Sequence, residues 1–377
     1  MVASRRTGSG GAGLLAAFVL SLAPASAQTA PELPPSLAEE IERDHTADAV
    51  EGRSLTDTAM ARASAAYTAG DYDSALLHAQ RASAGGEARG ATLAGHIRLH
   101  GLAGEPDDEA AVRWLQRAAD MGEPDALVIL ARLAEAGRGG LSSWQAREFL
   151  SQAAELGDPR GALEYALYIK ERGDPGAASV ALDWFRLAAE SGLSDAYREY
   201  AIALDQWPHG PRDPARARPW YERAGRAGDA ASAMEAGLMY RAGDGGPADP
   251  ARGAELIQIA AELGLPEAMG RHAFLLFQGV GDAPPEPERA ASWARRGAEA
   301  GDPEAQFILA YALATGDGVT RDLERAYFWV RRAGFTREEA VVDNPDRQRL
   351  QAALERALPE TAVARIESEA MAAAGSF

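Results

Sequence analysis

Cysteine is absent from the 377-residue sequence, and its absence excludes several chemistries at once. Without a thiol the chain forms no disulfide, no thiolate metal site and no cysteine nucleophile, and it carries no lipid-modified N-terminal cysteine. Its stability must therefore come from a hydrophobic core. With 46% hydrophobic residues, the composition is sufficient to build one.

Lysine is almost absent as well, since Lys170 is the only one in the sequence. Acidic residues outnumber basic residues by 56 to 38, which gives a formal net charge of −18. A protein that binds nucleic acid needs a basic face to displace counterions from the phosphates. The composition therefore argues against a nucleic-acid partner.

A bilayer-spanning run of about 20 apolar residues is missing from the N-terminus. The apolar stretch there covers only residues 14–23, after Arg5 and Arg6 and before Ala25-Ser26-Ala27. This order of charged, apolar and small residues predicts a cleavable signal peptide over residues 1–27. An uncleaved amphipathic N-terminus is the alternative. We expect an exported protein with no membrane span, which in a bacterium most simply means a periplasmic one.

Residues 28–56 form a proline-rich lead. Prolines near its start, over residues 28–35, prevent a continuous helix. Ser36 and Glu39 then fit a capping box, which predicts a short helix to about Val50.

From residue 57 to residue 337 one pattern returns every 35 to 37 residues, and its clearest mark is a glycine that suits the left-handed position after a helix. These joint glycines are Gly86, Gly122, Gly157, Gly192, Gly228, Gly264 and Gly301.

Two more columns keep the same register. A ring column, mostly large aromatic residues, lies eight residues before each glycine: His78, Trp114, Phe149, Trp184, Trp220, Leu256 and Trp293. A cap column, rich in N-cap residues, lies seven residues earlier: Asp71, Asp107, Ser142, Ala177, Asp213, Asp249 and Glu286. Small residues follow the rings, so we expect closely packed second helices with the rings in the core.

The columns predict an all-α solenoid of about eight antiparallel helix pairs. Each pair has a first helix, a glycine-containing loop and a second helix. Arg337 stands where the next joint glycine would fall, so the array is expected to end there. Residues 338–377 then predict two capping helices, one from Asn344-Pro345 to about Ala357 and one from Pro359 to about Ala373.

Two stretches carry a family resemblance. They are Ala233-Met234-x-x-Gly237-Leu238-x-Tyr240-x-x-Gly243-x-Gly245 and Gln306-x-x-x-Ala310-Tyr311-x-x-x-x-Gly316-x-Gly318-Val319. Both resemble the Sel-one-like repeat, a relative of the tetratricopeptide repeat, and the likeness covers about residues 57–337.

The resemblance implies a right-handed superhelix whose concave side, lined by first helices, holds a protein or peptide. Members of this family are mostly adaptors, and periplasmic ones are similar to regulators that dock on membrane sensor proteins. Some secreted, cysteine-rich relatives are linked to penicillin binding. The lack of cysteine weakens the analogy between this chain and the relatives linked to penicillin binding.

His96 and His100 are four residues apart on a predicted first helix and could offer two imidazoles on one face. No third ligand stands at a suitable spacing, and the repeat alignment puts His96 in the column of Leu238, which we interpret as a packing position. We therefore expect packing rather than metal binding.

A phosphate-binding loop has a lysine followed by serine or threonine after its glycines, and none of the glycine-rich loops here has that pair. Asp244 and Asp249, or Asp317 and Asp322, lack the ligand alternation of a calcium loop. The sequence thus predicts no catalytic residue, no cofactor-binding residue and no metal ligand.

Three tryptophans could serve as stacking platforms for glycans. Trp220 falls in the ring column and is expected in the core. Trp144 and Trp207 lie outside that column, and Trp207, beside Pro208, is the better candidate for an exposed contact, although a side chain that packs its own loop is the simpler interpretation.

The leading hypothesis is a non-catalytic periplasmic scaffold that binds a protein or peptide on its concave face and regulates an envelope signalling or assembly protein. The alternative is an envelope enzyme or glycan-binding factor that acts on peptidoglycan or β-lactams. Only the predicted compartment and a distant analogy support the alternative. The oligomeric state does not follow from the sequence.

Overall fold

The computed structural model describes residues 58–173, 175–206, 212–281, 283–335 and 344–374. These residues contain eighteen α-helices and no β-strand. Within them, no helix combines the length and the apolar character that crossing a membrane requires. The predicted signal peptide, the lead and Trp207 lie outside the described residues.

The structure divides into two compact units, the first ending at Asp107 and the second beginning at Asp108. The first unit holds α1 (Ala59–Thr68), α2 (Tyr72–Ala84) and α3 (Ala88–Leu99). Side-chain oxygens of Thr58 and Asp71 accept backbone amides and begin α1 and α2.

The second unit holds fifteen helices, α4 to α18. Its first helices are α5 (Pro124–Glu135), α7 (Pro159–Arg172), α9 (Ser194–Asp205), α11 (Ala230–Ala242), α13 (Pro266–Gln278) and α15 (Pro303–Thr315). Its second helices are α4 (Asp108–Asp120), α6 (Gln145–Glu155), α8 (Ala178–Glu190), α10 (Pro214–Arg226), α12 (Pro250–Glu262), α14 (Pro287–Glu299) and α16 (Leu323–Ala333). Each of these helices packs on the next along the chain, which is the all-α solenoid that the repeats predict.

The joints between repeats follow local chemistry. Gly301 has φ +96°, a value that a residue with a Cβ rarely adopts. The amide of Asp302 donates to the carbonyl of Gly297 at 2.9 Å, and the Asp302 carboxylate accepts the amide of Ala305 at 2.6 Å. Pro303 takes the first helical position. The other six joint glycines also have positive φ, so this prediction is confirmed.

The cap column is confirmed in part. Asp213 and Asp249 accept the amides of Arg216 and Arg252, as predicted. Ser142 is not the cap of α6, because Trp144 already has helical backbone angles and the helix starts at Gln145. Ala177 has no side-chain acceptor. Glu286 precedes α14 without accepting an amide and instead pairs with Arg289 at 2.7 Å.

The core lies one residue beyond most of the ring column. Trp184, Trp220 and Trp293 are only partly buried, whereas the residue that follows each of them is fully buried, as with Phe185 after Trp184. The expectation that the ring column forms the core is therefore wrong for these tryptophans. The indoles pack against the edge of the core, and Leu256 is the ring-column residue that enters it completely.

Two loop glycines allow close backbone contact between neighbouring repeats. Gly318 follows α15, and a Cβ added there would overlap the carbonyl oxygen of Pro287, the first residue of the preceding second helix. Gly245 approaches Pro214 in the same way. In these two loops the second glycine thus allows the backbone to rest on the start of the preceding second helix.

After α16, α17 (Pro345–Ala357) and α18 (Glu360–Ala374) close the described chain near the predicted positions. Leu354 and Ile366 enter the same core cluster as Tyr327 of α16. The Tyr327 hydroxyl lies 3.1 Å from a carboxylate oxygen of Glu355 and 3.1 Å from one of Glu367. One side chain of α16 therefore contacts both terminal helices.

Candidate functional site

The ninth residue of each first helix in the second unit keeps part of its surface exposed. In α15 this residue is Tyr311, which lies between the buried pairs Leu309-Ala310 and Ala312-Leu313 and remains 47% exposed. Phe274 holds the same position in α13 and is 39% exposed. The remaining members are partly exposed. We call this set the first-helix row: Arg132, Leu167, Ile202, Leu238, Phe274 and Tyr311.

Charged residues of the first helices pair with those of the next repeat. Arg132 on α5 contacts Glu164 on α7 at 2.6 Å. The only lysine, Lys170, contacts Glu199 on α9 at the same distance. Further along, Arg271 of α13 pairs with Glu304 of α15 at 3.0 Å. In these three pairs the charges of basic residues on the first helices are balanced by carboxylates of the protein itself, although the whole chain is strongly acidic.

One carboxyl group on α5 differs from these ion pairs. Burial, followed by the negative charge of Glu171, raises the pKa of Glu135, while Arg172 and Arg132 act in the opposite direction. Glu135 therefore holds its proton to higher pH than an isolated glutamate. The end of the first-helix row on α5, beside Arg132 and Glu135, is therefore its most polar part.

His96 and His100 of the first unit are brought together by α3. His96 is buried, its Nε2 lies 3.2 Å from the Tyr67 hydroxyl, and its ring centroid is 4.5 Å from that of His100. Burial, with a smaller contribution from His100, lowers the pKa of His96 to about 3. Within the described residues no group of three histidine, cysteine or acidic side chains could hold a metal ion. The predicted packing position of His96 is confirmed.

Two of the three tryptophans singled out in the sequence lie among the described residues, and their surroundings differ. Trp220 contacts Tyr197 and Tyr200 with ring centroids 5.7 and 5.3 Å away, and the Arg223 guanidinium lies over its ring. Trp144, before α6, is 69% exposed and is the most exposed large hydrophobic side chain of the described residues. Trp207, the preferred candidate, lies outside those residues.

The loop aspartates have local structural partners. Asp244 pairs with Arg212, which also contacts the buried Asp205. Asp249 and Asp322 accept the amides that begin α12 and α16. These contacts account for the spacing of the acidic residues.

The sequence interpretation missed the first-helix row. The signal was available, because aligning the first helices on their first residue places an apolar side chain at the ninth position in α7, α9, α11, α13 and α15. Periodicity alone does not predict which apolar residues are exposed, since buried and exposed apolar residues alternate closely along these helices.

A family model described as the Sel1 repeat matches residues 88–123, 145–158, 159–193, 195–229, 230–265, 266–302 and 303–334, more than half of the chain. The chain belongs to the Sel1 repeat family. Comparison with curated proteins gave no significant match.

Three solved structures of Sel1 repeat proteins are similar to this chain, and the first of them shows the same fold. One from Oxalobacter formigenes is 21% identical with a TM-score of 0.51, covering 90% of this chain and 99% of its own. A protective antigen of uropathogenic Escherichia coli strains is 17% identical over 90% of this chain and 95% of its own, with a TM-score of 0.39. A Sel1 repeat protein from Klebsiella pneumoniae is 22% identical over 53% of this chain and 98% of its own, with a TM-score of 0.32. Sel1 repeat proteins are generally protein-interaction scaffolds.

Proposed function

We propose that this Sel1 repeat protein is a non-catalytic periplasmic scaffold that binds a protein or an extended peptide along its first-helix row. The observation that carries the proposal is the repeated exposure of apolar side chains, most clearly Phe274 and Tyr311, at one position of successive first helices. Large exposed aromatic side chains are frequent anchors of protein interfaces.

The balanced charges beside the row support recognition by apolar contacts. Because Arg132, Lys170 and Arg271 already have carboxylate partners, a ligand gains little from adding a charge opposite them. Binding along the row should therefore weaken little when ionic strength rises, unlike binding that depends on unpaired charges.

The periplasmic part of the proposal is supported by the sequence of residues 1–27. A partner there would be an envelope protein, and we assign this chain the role of regulating a signalling or assembly protein. Fractionation of cells that express the full sequence or a form lacking residues 1–27 tests the compartment. Retention of both forms in the cytoplasm would contradict it.

A site-specific crosslinking experiment tests the binding face. A photoreactive amino acid replaces Phe274 or Tyr311 in the native envelope, and the same replacement at Val180, an exposed residue of the second helix α8, provides the matched control. We expect the same partner at the first two positions and not at the third. A partner captured equally at all three, or only at Val180, contradicts a first-helix binding face.

The captured partner then permits a quantitative test. Its binding to purified protein should weaken at least tenfold when Phe274 and Tyr311 are both replaced by alanine, and should change much less between low and physiological salt. Unchanged affinity of the double variant would count against the row.

The exposed indole of Trp144 favours one alternative, a glycan-binding factor of the envelope. Purified protein incubated with sacculi and with a chromogenic β-lactam tests it. Retention on sacculi that is lost in Trp144→Ala, or turnover that survives removal of trace contaminants, would favour the alternative over the scaffold.

A further inference from the structure

His272 lies on the inner side of α13 and has no polar partner. Its side chain is 4% exposed, and neither ring nitrogen makes a hydrogen bond. Its ring meets that of Trp293 on α14 edge to face, with centroids 5.3 Å apart. A neutral imidazole carries one donor and one acceptor, so burying both without partners costs free energy even before a charge is added.

The repeats show that this position does not require a histidine. The seventh residue of the other first helices in the second unit is Leu130, Tyr165, Tyr200, Ala236 or Leu309, and all of these are buried. Where a tyrosine occupies the position in α9, its hydroxyl has a hydrogen-bond partner, Arg216. His272 is therefore the one titratable imidazole among these six equivalent positions.

The charged groups on the neighbouring helices do not compensate a proton on His272. Arg289 of α14 acts against protonation, while Glu262 of α12 and Glu286, which precedes α14, favour it more weakly. From α15, Asp302 accepts the Ala305 amide and Glu304 pairs with Arg271 of α13 itself. Burial, followed by Arg289, lowers the pKa of His272 to about 4.

We propose that His272 makes the α13–α14 pair an acid-sensitive break point of the array, at which α13 separates from its neighbours so that the protonated ring reaches water. The direction of the pH effect follows from the linkage between protonation of His272 and closure of α13. Because the pKa of His272 is lower in the folded chain than the usual value of about 6.5, the closed form is favoured fully above pH 6.5 and loses stability as the pH falls towards 4. The opening equilibrium should rise about tenfold per pH unit over this window.

Opening at this point would also alter the first-helix row, because α13 carries Phe274 and Arg271. That consequence for a bound partner rests on the proposed function. The opening itself does not, and it is measured without any partner.

Hydrogen exchange of the full chain at pH 7, 6, 5 and 4.5, corrected for the intrinsic rate, measures the opening of residues 266–278. His272→Leu and His272→Tyr are the comparison variants, because leucine and tyrosine occupy this position in α15 and α9. We expect a steep acid response in the wild type, a flat one in both variants, and a flat one over residues 159–172 of α7 in all three. An equal acid response in the variants, or none in the wild type at pH 4.5, overturns the proposal.

If neither variant folds, titration of the His272 ring by NMR in the wild type tests the proposed break point instead. We expect the ring to remain neutral while α13 is closed and to gain its proton only together with opening. A His272 ring that titrates near pH 6.5 in an intact array would refute the break point.

Discussion

At the scale of single residues, two adjacent rings on α8 mark where the core ends. Phe185 is fully buried, whereas Trp184 is partly exposed and contacts Tyr165 across the edge of the core. Phe185→Ala should cost about 3–5 kcal/mol, because it leaves a cavity, and Trp184→Ala should cost clearly less, about 1–2 kcal/mol. Native-state hydrogen exchange of α7 and α8 measures both losses.

The test depends on which of the two substitutions lowers the free energy of unfolding more. If Trp184→Ala costs as much as Phe185→Ala, the ring column is part of the core after all. Trp144→Ala supplies a baseline near zero, since that indole is mostly exposed.

Glu222 on α10 is a second residue that sequence patterns did not identify. Its buried carboxylate accepts the Tyr240 hydroxyl at 2.8 Å and guanidinium groups of Arg252 at 2.7 Å and Arg226 at 3.0 Å. Burial acts to raise the pKa of Glu222, but the hydrogen bonds from Arg252, Tyr240 and Arg226 outweigh it and lower the pKa. One carboxylate therefore connects α10, α11 and α12.

Glu222→Gln should destabilise these three helices by about 2 kcal/mol, since it removes the charge that two guanidinium groups and a hydroxyl share. The matched control is Glu255→Gln, which removes the other, exposed partner of Arg226 and should cost less than about 1 kcal/mol. Exchange protection of residues 214–262 is the measurement. Equal effects would mean that the buried position of Glu222 adds nothing.

At the scale of elements, the loops between paired helices offer a test of how repeats are joined. Gly318→Ala must strain a backbone with φ +70° and also displace the chain from the carbonyl of Pro287, so a loss of about 3 kcal/mol is expected. Gly281→Ala has a similar φ of +59° but open space around the new methyl group, so about 1 kcal/mol is expected.

Thermal unfolding of both glycine variants, followed by circular dichroism, distinguishes the two contributions. Equal shifts of the melting temperature would show that backbone strain alone sets the requirement for glycine. A larger shift for Gly318→Ala would show that contact between repeats adds to it.

Local chemistry explains how much of the fold could be predicted. Gly301 and Asp249 act through their own backbone and the next few amides, so their roles follow from the sequence around them. The burial of Phe185 rather than Trp184 depends on which of two adjacent apolar side chains faces the neighbouring helix, and periodicity does not decide that. Exposure of Tyr311 likewise depends on packing by the next repeat.

At the scale of the whole molecule, stability in an array passes between neighbours. Deleting residues 344–377 removes α17 and α18 and uncovers Tyr327 and Val330, which share a core cluster with Leu354 and Ile366. Exchange protection should fall first in α15 and α16, and within the second unit α4 and α5 should be affected last. Unchanged protection of residues 303–333 would show that the terminal helices do not stabilise the last repeat.

The loop contacts of Gly318 and Gly245 also give the array a direction of assembly. Each of these loops rests on the start of a second helix that precedes it in the chain, Pro287 or Pro214. During synthesis the N-terminal side leaves the ribosome first, so the docking surface exists before the loop that needs it. A chain that emerges from its N-terminal end, whether from the ribosome or across a membrane, can thus dock these two loops in order, one repeat after the other.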